Sequence, residues 1–181
     1  MGQNTCNVSK KSRVAKGRNP DPSYGLIDSR SVKTAGAAQQ RGFDGGKKVK
    51  GRKQHIVTDI EGHLLHVTVH PANIHDSIAG GGVMRSAFAK YPSLKGTCGD
   101  AGYRKTFQED MASLGLTADI VERIQGSGWR ILPKRWRVER TFAWMGGARR
   151  LSKDYEILTT SAENMVIISH VATLLNRLDN Y

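Results

Sequence analysis

Apolar and polar positions along the chain fall into short runs whose period switches between that of a strand and that of a helix. Residues 24–28, Tyr-Gly-Leu-Ile-Asp, form an apolar run that closes on a carboxylate and read as a first strand. Residues 54–60 and 63–70 are β-rich and flank Glu61-Gly62, a two-residue connection that predicts an antiparallel hairpin. Pro71 ends that ladder, and Asn73 or Asp76 is placed to cap a helix reaching Tyr91. Gly80, Gly81 and Gly82 each cost about 1 kcal/mol against Ala inside a helix, so its first turn is expected to be irregular. Residues 96–100 read as a fourth strand. A second helix follows, with Thr106 and Glu109 in capping-box spacing, Phe107, Met111 and Leu114 as its stripe, and Gly115 closing it. A fifth strand is expected at residues 118–123. Past the bend at residues 126–128, Pro133 opens a helix through Glu139 and Trp144, stopped by Gly146-Gly147. The last helix carries a capping box, Thr160 with Glu163, and an apolar stripe of Ile168, Val171, Leu175 and Leu178.

Two stretches lack such periodicity. Residues 1–22 combine Lys10, Lys11, Arg13, Lys16 and Arg18 with Gly17, Pro20 and Pro22 and read as a basic arm or linker remnant ahead of one domain, residues 23–181. Residues 29–51 are Gly-rich and basic and read as a mobile loop. Three antiparallel strands followed by alternating helix and strand give an α/β layered domain, a mixed sheet with helices on its faces.

Composition changes this picture in one respect. The 181 residues hold 28 Lys and Arg against 16 Asp and Glu, a net charge of +12, which points to a polyanionic partner such as nucleic acid. No run is apolar for the roughly 18 residues of a membrane span, and the first residues lack the apolar stretch of a secretory signal, so no membrane association and a cytoplasmic location are expected. Cys6 and Cys98 lie far apart and outside any Cys-x-x-Cys spacing, which excludes a disulfide scaffold and a zinc ribbon.

The candidate chemistry lies in carboxylates at strand ends. Asp28 closes the first strand, Asp100 the fourth, and Glu139 lies in the helix after the fifth. Layered α/β sheets build sites at the carboxyl ends of their strands, and convergent carboxylates suit Mg²⁺ or Mn²⁺. Position alone leaves helix caps and surface charges as the competing reading. The segments around these residues carry more: Ile-Asp-Ser-Arg-Ser-Val-Lys-Thr at 27–34, Gly-Arg-Lys-Gln-His-Ile-Val-Thr-Asp at 51–59, His-Val-Thr-Val-His-Pro-Ala-Asn-Ile-His-Asp at 66–76, Asp-Ala-Gly-Tyr at 100–103 and Val-Glu-Arg-Thr-Phe-Ala-Trp at 138–144. In this order they resemble the catalytic domain of DDE transposases of bacterial insertion sequences, nearest to insertion sequence family five and family four-like members. The resemblance implies an RNase H-like fold, whose element order is the one read above. It also implies two catalytic metal ions, Mg²⁺ or Mn²⁺, held by Asp28, Asp100 and Glu139, with His75 and Asp76 supporting them, and cleavage and strand transfer of double-stranded DNA by a homo-oligomer. Arg135 fits the family's Arg one turn before the glutamate, whereas Leu132 and Gly146 stand where its Tyr and Lys are expected. The family's usual helical DNA-binding region is not seen before the first strand, so an upstream-encoded half is a further expected partner.

Residues 130–153 hold eight basic side chains against Glu139 alone. Arg135 and Arg140, neighbours of Glu139 on one helix, are the foremost candidates for phosphate contact, with Arg149, Arg150 and Lys153. The basic loop adds Lys47, Lys48, Lys50, Arg52 and Lys53, with simple solvation as the alternative. Trp136, Phe142 and Trp144 read as core, Asp59 as a turn residue, and His170 as a surface or core histidine. His66, His70 and His75 have no further ligand to complete a zinc site. Two rival functions stand beside a transposase: an inactive truncated fragment that binds DNA or inhibits the full enzyme, and a cellular nuclease on the same fold.

Overall fold

In the computed structural model, which describes residues 2–121 and 136–178, the chain runs α1 (Gly2–Ala15), β1 (Tyr24–Lys33), β2 (Gly42–Asp44), β3 (Val49–Thr58) and β4 (Leu64–Pro71). It continues through α2 (Asp76–Lys90), β5 (Gly96–Asp100), α3 (Thr106–Ser113), β6 (Thr117–Val121), α4 (Trp136–Gly146) and α5 (Thr159–Leu178). β1 is central to the sheet, antiparallel to β3 on one side and parallel to β5 on the other. β6 extends the parallel half. β2 and β4 lie end to end along the far edge of β3, with Gly42 opposite Gly51 and Pro71 opposite Arg52. This is the mixed sheet expected from the order of elements.

Both faces of the sheet are covered, which is why its central strands read as runs rather than alternations. Leu26, Ile56, Val67 and Cys98 pack under Val138 and Met145 of α4 and Ala162 and Val166 of α5. Ile27, Val57 and Leu65 pack under Val83, Met84 and Ala87 of α2 and Phe107 and Met111 of α3. The glycines of α2 do not disturb its first turn; the helix is regular over its length. Two of them face α3 and the turn before it: a Cβ at Gly80 would lie 2.9 Å from the Tyr103 ring and 3.0 Å from Phe107, and one at Gly81 would run into the Asp110 carboxylate, whereas Gly82 is exposed with nothing near it. The helix cost of glycine is offset by close packing.

Expectations for β1, for residues 2–15 and for α5 are corrected. β1 runs five residues past Asp28, because β3 pairs with it from Leu26 to Lys33, so both ends of the basic loop and a short stretch within it are sheet. Residues 2–15 form a helix rather than an arm. Ser9, Ser12 and Arg13 of α1 are buried and polar, so its inner face carries no apolar period to read. The buried stripe of α5 is Ala162, Val166, His170 and Leu174, while Ile168 and Leu175 are 44% and 46% exposed. Glu163 accepts the amide of Val69 at 2.9 Å, tying α5 to β4. His170 is a core residue, its Nε2 accepting the Leu64 amide at 3.0 Å. Pro133, Leu132 and Arg135 lie outside the described residues, as does the end of the fifth strand beyond Val121. Among the described residues no helix is long and apolar enough to cross a membrane.

Asp59, expected in a turn, does accept the turn amides of Glu61 and His63, and it is also fully buried against Arg13 of α1 and the His63 ring. Burial alone would raise its pKa, but the bonds from His63 and Arg13 outweigh burial and hold it below the usual carboxylate range. A depressed folded pKa stabilises the fold above the unfolded value and loses that contribution as pH falls. Melting temperature should therefore drop between about pH 5 and pH 2 more steeply for the native chain than for Asp59→Asn, which starts lower and stays flatter. Parallel curves would remove Asp59 from the acid response.

Candidate active site at the β1–β5 junction

The site begins with strand register. Leu26 of β1 stands opposite Cys98 of the parallel strand β5 at the last paired position of the two strands, and Asp28 and Asp100 each follow two residues later. Because strand side chains alternate with period two, both carboxylates project to the face that holds Leu26 and Cys98. Both therefore stand just past the end of the β1–β5 ladder. α4 crosses this same face. Val138 packs in the core beside Leu26 and Cys98, and Arg30 of β1 lies 5.3 Å from the centroid of Phe142 and donates to its carbonyl at 3.4 Å. Glu139 stands one helical turn before Phe142 on the exposed side of α4, and Asp28 one pleat before Arg30. The three expected carboxylates are thus carried to one face of the sheet. They are not closed around a common centre, and among the described residues no three His, Cys, Asp or Glu side chains are close enough to enclose an ion.

Each aspartate is oriented by backbone. Asp28 Oδ1 accepts the amide of Ser29 at 2.7 Å. Asp100 caps the 3₁₀ turn Ala101–Tyr103, accepting the amide of Gly102 at 2.8 Å. Gly102 also brings a fourth carboxylate into view: a Cβ there would lie 2.9 Å from Asp100 Oδ1 and 4.0 Å from Asp76 Oδ2. Asp76, in the first turn of α2, meets Asp100 across the bare glycine. Its other oxygen accepts Ser29 Oγ at 2.8 Å and Lys53 Nζ at 2.9 Å. Burial would raise the Asp76 pKa, but the Lys53 and Ser29 bonds overcome it and hold the group ionised. His75, before it, caps α2 by accepting the Ser77 amide at 3.3 Å.

Beneath these carboxylates lies a neutral layer. Tyr103 is buried with its hydroxyl 2.6 Å from His55 Nε2, and His55 Nδ1 lies 3.3 Å from His70 Nε2. Burial, and then the charges of Asp28, Asp76 and Asp100, keep the phenol protonated far above its usual range. Burial likewise lowers the pKa of His55, so the ring is neutral. Tyr103 packs with Ile27, Val57 and Phe107 in the core layer under α2 and α3, on the other face of the sheet from Leu26 and Cys98. Asp-Ala-Gly-Tyr was legible as a motif; the role of its tyrosine was not.

Several expected DNA contacts are placed elsewhere. Arg52 is fully buried in β3, paired with Asp154 at 3.0 Å and donating to the carbonyls of Gln39, Glu156 and Ile157, so it is structural and not a phosphate contact. Lys53 is buried as well, and Asp76 and the Ile74 carbonyl at 2.8 Å hold its ammonium. Lys47 and Lys48 in the β2–β3 turn and Lys50 at the start of β3 are exposed, with Lys47 also reaching the Ser29 carbonyl at 3.2 Å. Arg149 is exposed; Arg150, also exposed, pairs with Glu156 at 2.8 Å; and Lys153 lies 5.8 Å from the Tyr155 ring. Arg140 turns away from the carboxylates, sandwiched 4.6 Å from Trp136 and 4.5 Å from Trp144, and donates to the Glu61 carbonyl. Trp136, 38% exposed, and Trp144 are cation-stacking surfaces rather than core, while Phe142 packs against the core as expected.

A family model described as transposase DDE domain matches residues 19–174. Among solved structures, the catalytic core domain of BIV integrase in crystal form I is similar with a TM-score of 0.50 at 12% identity, covering 81% of each chain. The HTLV-2 integrase catalytic core domain in complex with magnesium, in its dimeric form, is similar with a TM-score of 0.51 at 15% identity, covering 81% of this chain and 84% of that one. At such identities the likeness shows a shared fold, which is RNase H-like. No curated protein matches this chain.

Proposed function

This chain belongs to the transposase DDE domain family, and we propose that it is the catalytic domain of a bacterial insertion-sequence transposase whose working carboxylates are Asp28, Asp100 and Glu139. The observation that carries this reading is that Asp28 and Asp100 each follow, by two residues, the last paired position of parallel neighbouring strands, with the helix bearing Glu139 packed on the face that holds Leu26 and Cys98. Carboxylates from three elements are hard oxygen donors, the set that Mg²⁺ or Mn²⁺ prefers. Asp28, Asp100 and Glu139 would hold two such ions, which supply an activated water and stabilisation of the leaving oxygen of a phosphodiester. The chain's own part is to keep the donors in place: the Gly102 amide orients Asp100, and Lys53 with Ser29 keeps Asp76 charged beside it. Hydrolysis at the element's end frees a 3′ hydroxyl, which then attacks a phosphodiester of the target duplex and displaces its 3′ oxygen. The test is incubation with a terminal DNA fragment and target DNA in Mg²⁺ or Mn²⁺. Strand-transfer products support a transposase, cleavage without transfer supports a nuclease, and binding without turnover supports an inert fragment.

In this reading DNA lies along the exposed basic residues Lys47, Lys48, Lys50, Arg149 and Arg150, with half-buried Lys153 beside them, and the enzyme works as a homo-oligomer on DNA in the bacterial cytoplasm. Lys48→Ala, Lys50→Ala and Arg149→Ala should each lower the salt slope of DNA binding by about one and weaken binding alike for all sequences, because phosphate contacts carry no base information. Salt titrations on two unrelated duplexes check this; an unchanged slope assigns those side chains to solvent.

A further inference from the structure

The connection between β3 and β4, residues 59–63, is gripped from two sides. Its side chains hold α1 and the segment after it: Asp59 pairs with Arg13, His63 Nε2 lies 3.0 Å from Ser12 Oγ, and Glu61 binds Lys16 at 3.2 Å and Arg18 at 2.8 Å. Its carbonyls hold α4. Arg137 donates to the Ile60 carbonyl, Arg140 to Glu61 O at 3.0 Å, and Thr141 Oγ1 to Gly62 O at 3.0 Å, with the Arg137 carbonyl as a competing acceptor at 3.2 Å. Residues 137, 140 and 141 lie on one side of a helix, so three consecutive carbonyls fix both the height and the rotation of α4. The fit is close at Gly62, whose φ of +85° suits glycine and where a Cβ would stand 2.8 Å from Thr141 Oγ1 and 3.0 Å from the Trp144 ring. Glu139 sits between these anchoring residues in sequence, one turn before Phe142.

We infer that this turn is the positioning element for Glu139: by clasping α4 through Thr141, Arg140 and Arg137 it sets where the third carboxylate stands relative to Asp28 and Asp100. Thr141, buried and away from the reacting groups, is a positioning residue that acts through Glu139. The inference rests on the proposed role of Glu139 as a metal ligand. It assigns the basic residues of α4 a task other than holding phosphate. The braced turn also gives α1 a mechanical connection to the site.

A double-mutant cycle on the full chain tests it, with Mn²⁺ affinity measured by titration calorimetry and folding checked by thermal melting. Thr141→Val keeps the shape and removes the hydroxyl. It should weaken Mn²⁺ binding about tenfold, the lower end of what losing an outer hydrogen-bond partner costs a metal site, and Thr141→Ser should restore it. In the Glu139→Gln background Thr141→Val should have no further effect, because the residue it positions is already gone. Equal losses in both backgrounds, or no loss in the otherwise native chain, would overturn the positioning role and leave the ligand role of Glu139 standing. An unchanged Mn²⁺ affinity in Glu139→Gln alone would remove Glu139 from the ligands and the positioning role with it.

Discussion

Asp28→Asn, Asp100→Asn and Glu139→Gln are each expected to abolish metal-dependent cleavage of transposon ends while leaving the fold intact. Each change keeps the side chain's shape and removes its charge, so packing is preserved and only the donor set for divalent metal is degraded. The lost electrostatic stabilisation of the phosphodiester transition state is worth about 4 kcal/mol or more, a thousandfold in rate. The melting temperature should not fall, because Asn keeps the oxygen with which Asp28 and Asp100 accept the amides of Ser29 and Gly102, and Glu139 lies on the exposed side of α4. Asp76→Asn provides the contrast. Its carboxylate is the partner of buried Lys53, so its loss should lower stability as well as rate. End cleavage in Mg²⁺ and in Mn²⁺, measured with melting curves for all four variants, separates the two behaviours. A variant among the first three that cleaves at a near-normal rate is not one of the working carboxylates.

The elements legible in the sequence were those whose signals are local. Turn glycines and the apolar runs of β1, β3 and β4 placed the sheet, and Asp28, Asp100 and Glu139 could be singled out as candidates before the fold was known. The caps were misplaced, since His75 rather than Asn73 or Asp76 caps α2 and Lys105 with Gln108 rather than Thr106 with Glu109 forms the capping box of α3. Non-local causes were hidden. β1 continues through polar residues because β3 pairs with them, and pairing across the chain leaves no trace in the period of either strand. α1 buries serines and an arginine against Asp59 and His63, groups more than forty residues away. The stripe on α5 was misread because Ile168 and Leu175 look apolar in sequence whereas the core accepts His170, whose ring satisfies the Leu64 amide. At the site itself, counting charges could not distinguish a lysine facing solvent from Lys53 facing Asp76. Tyr103, Ser29 and Gly102 gained their roles from what the sheet and α2 place beside them.

Arg52→Met should destabilise the fold strongly and leave the salt dependence of DNA binding unchanged. Arg52 and Asp154 are fully buried, with side-chain exposures of 0% and 1%. The guanidinium donates to Asp154 and to the carbonyls of Gln39, Glu156 and Ile157, pinning the segment before α5 and the one after β1 to the middle of β3. Methionine fills much of the same volume but leaves Asp154 charged and buried, a loss of about 3–5 kcal/mol when one partner of such a pair is removed. For a domain of this size each kcal/mol moves the melting temperature by about 2–4 °C, so a fall on the order of 10 °C is expected. Arg52→Lys should not rescue it, since a single ammonium cannot serve acceptors that lie around a planar fork. Adding Asp154→Leu to Arg52→Met should recover part of the loss by removing the orphaned charge. Melting curves and salt titrations of the three variants decide the matter. A native melting temperature in Arg52→Met, together with a salt slope lowered by about one, would return Arg52 to the DNA-facing surface.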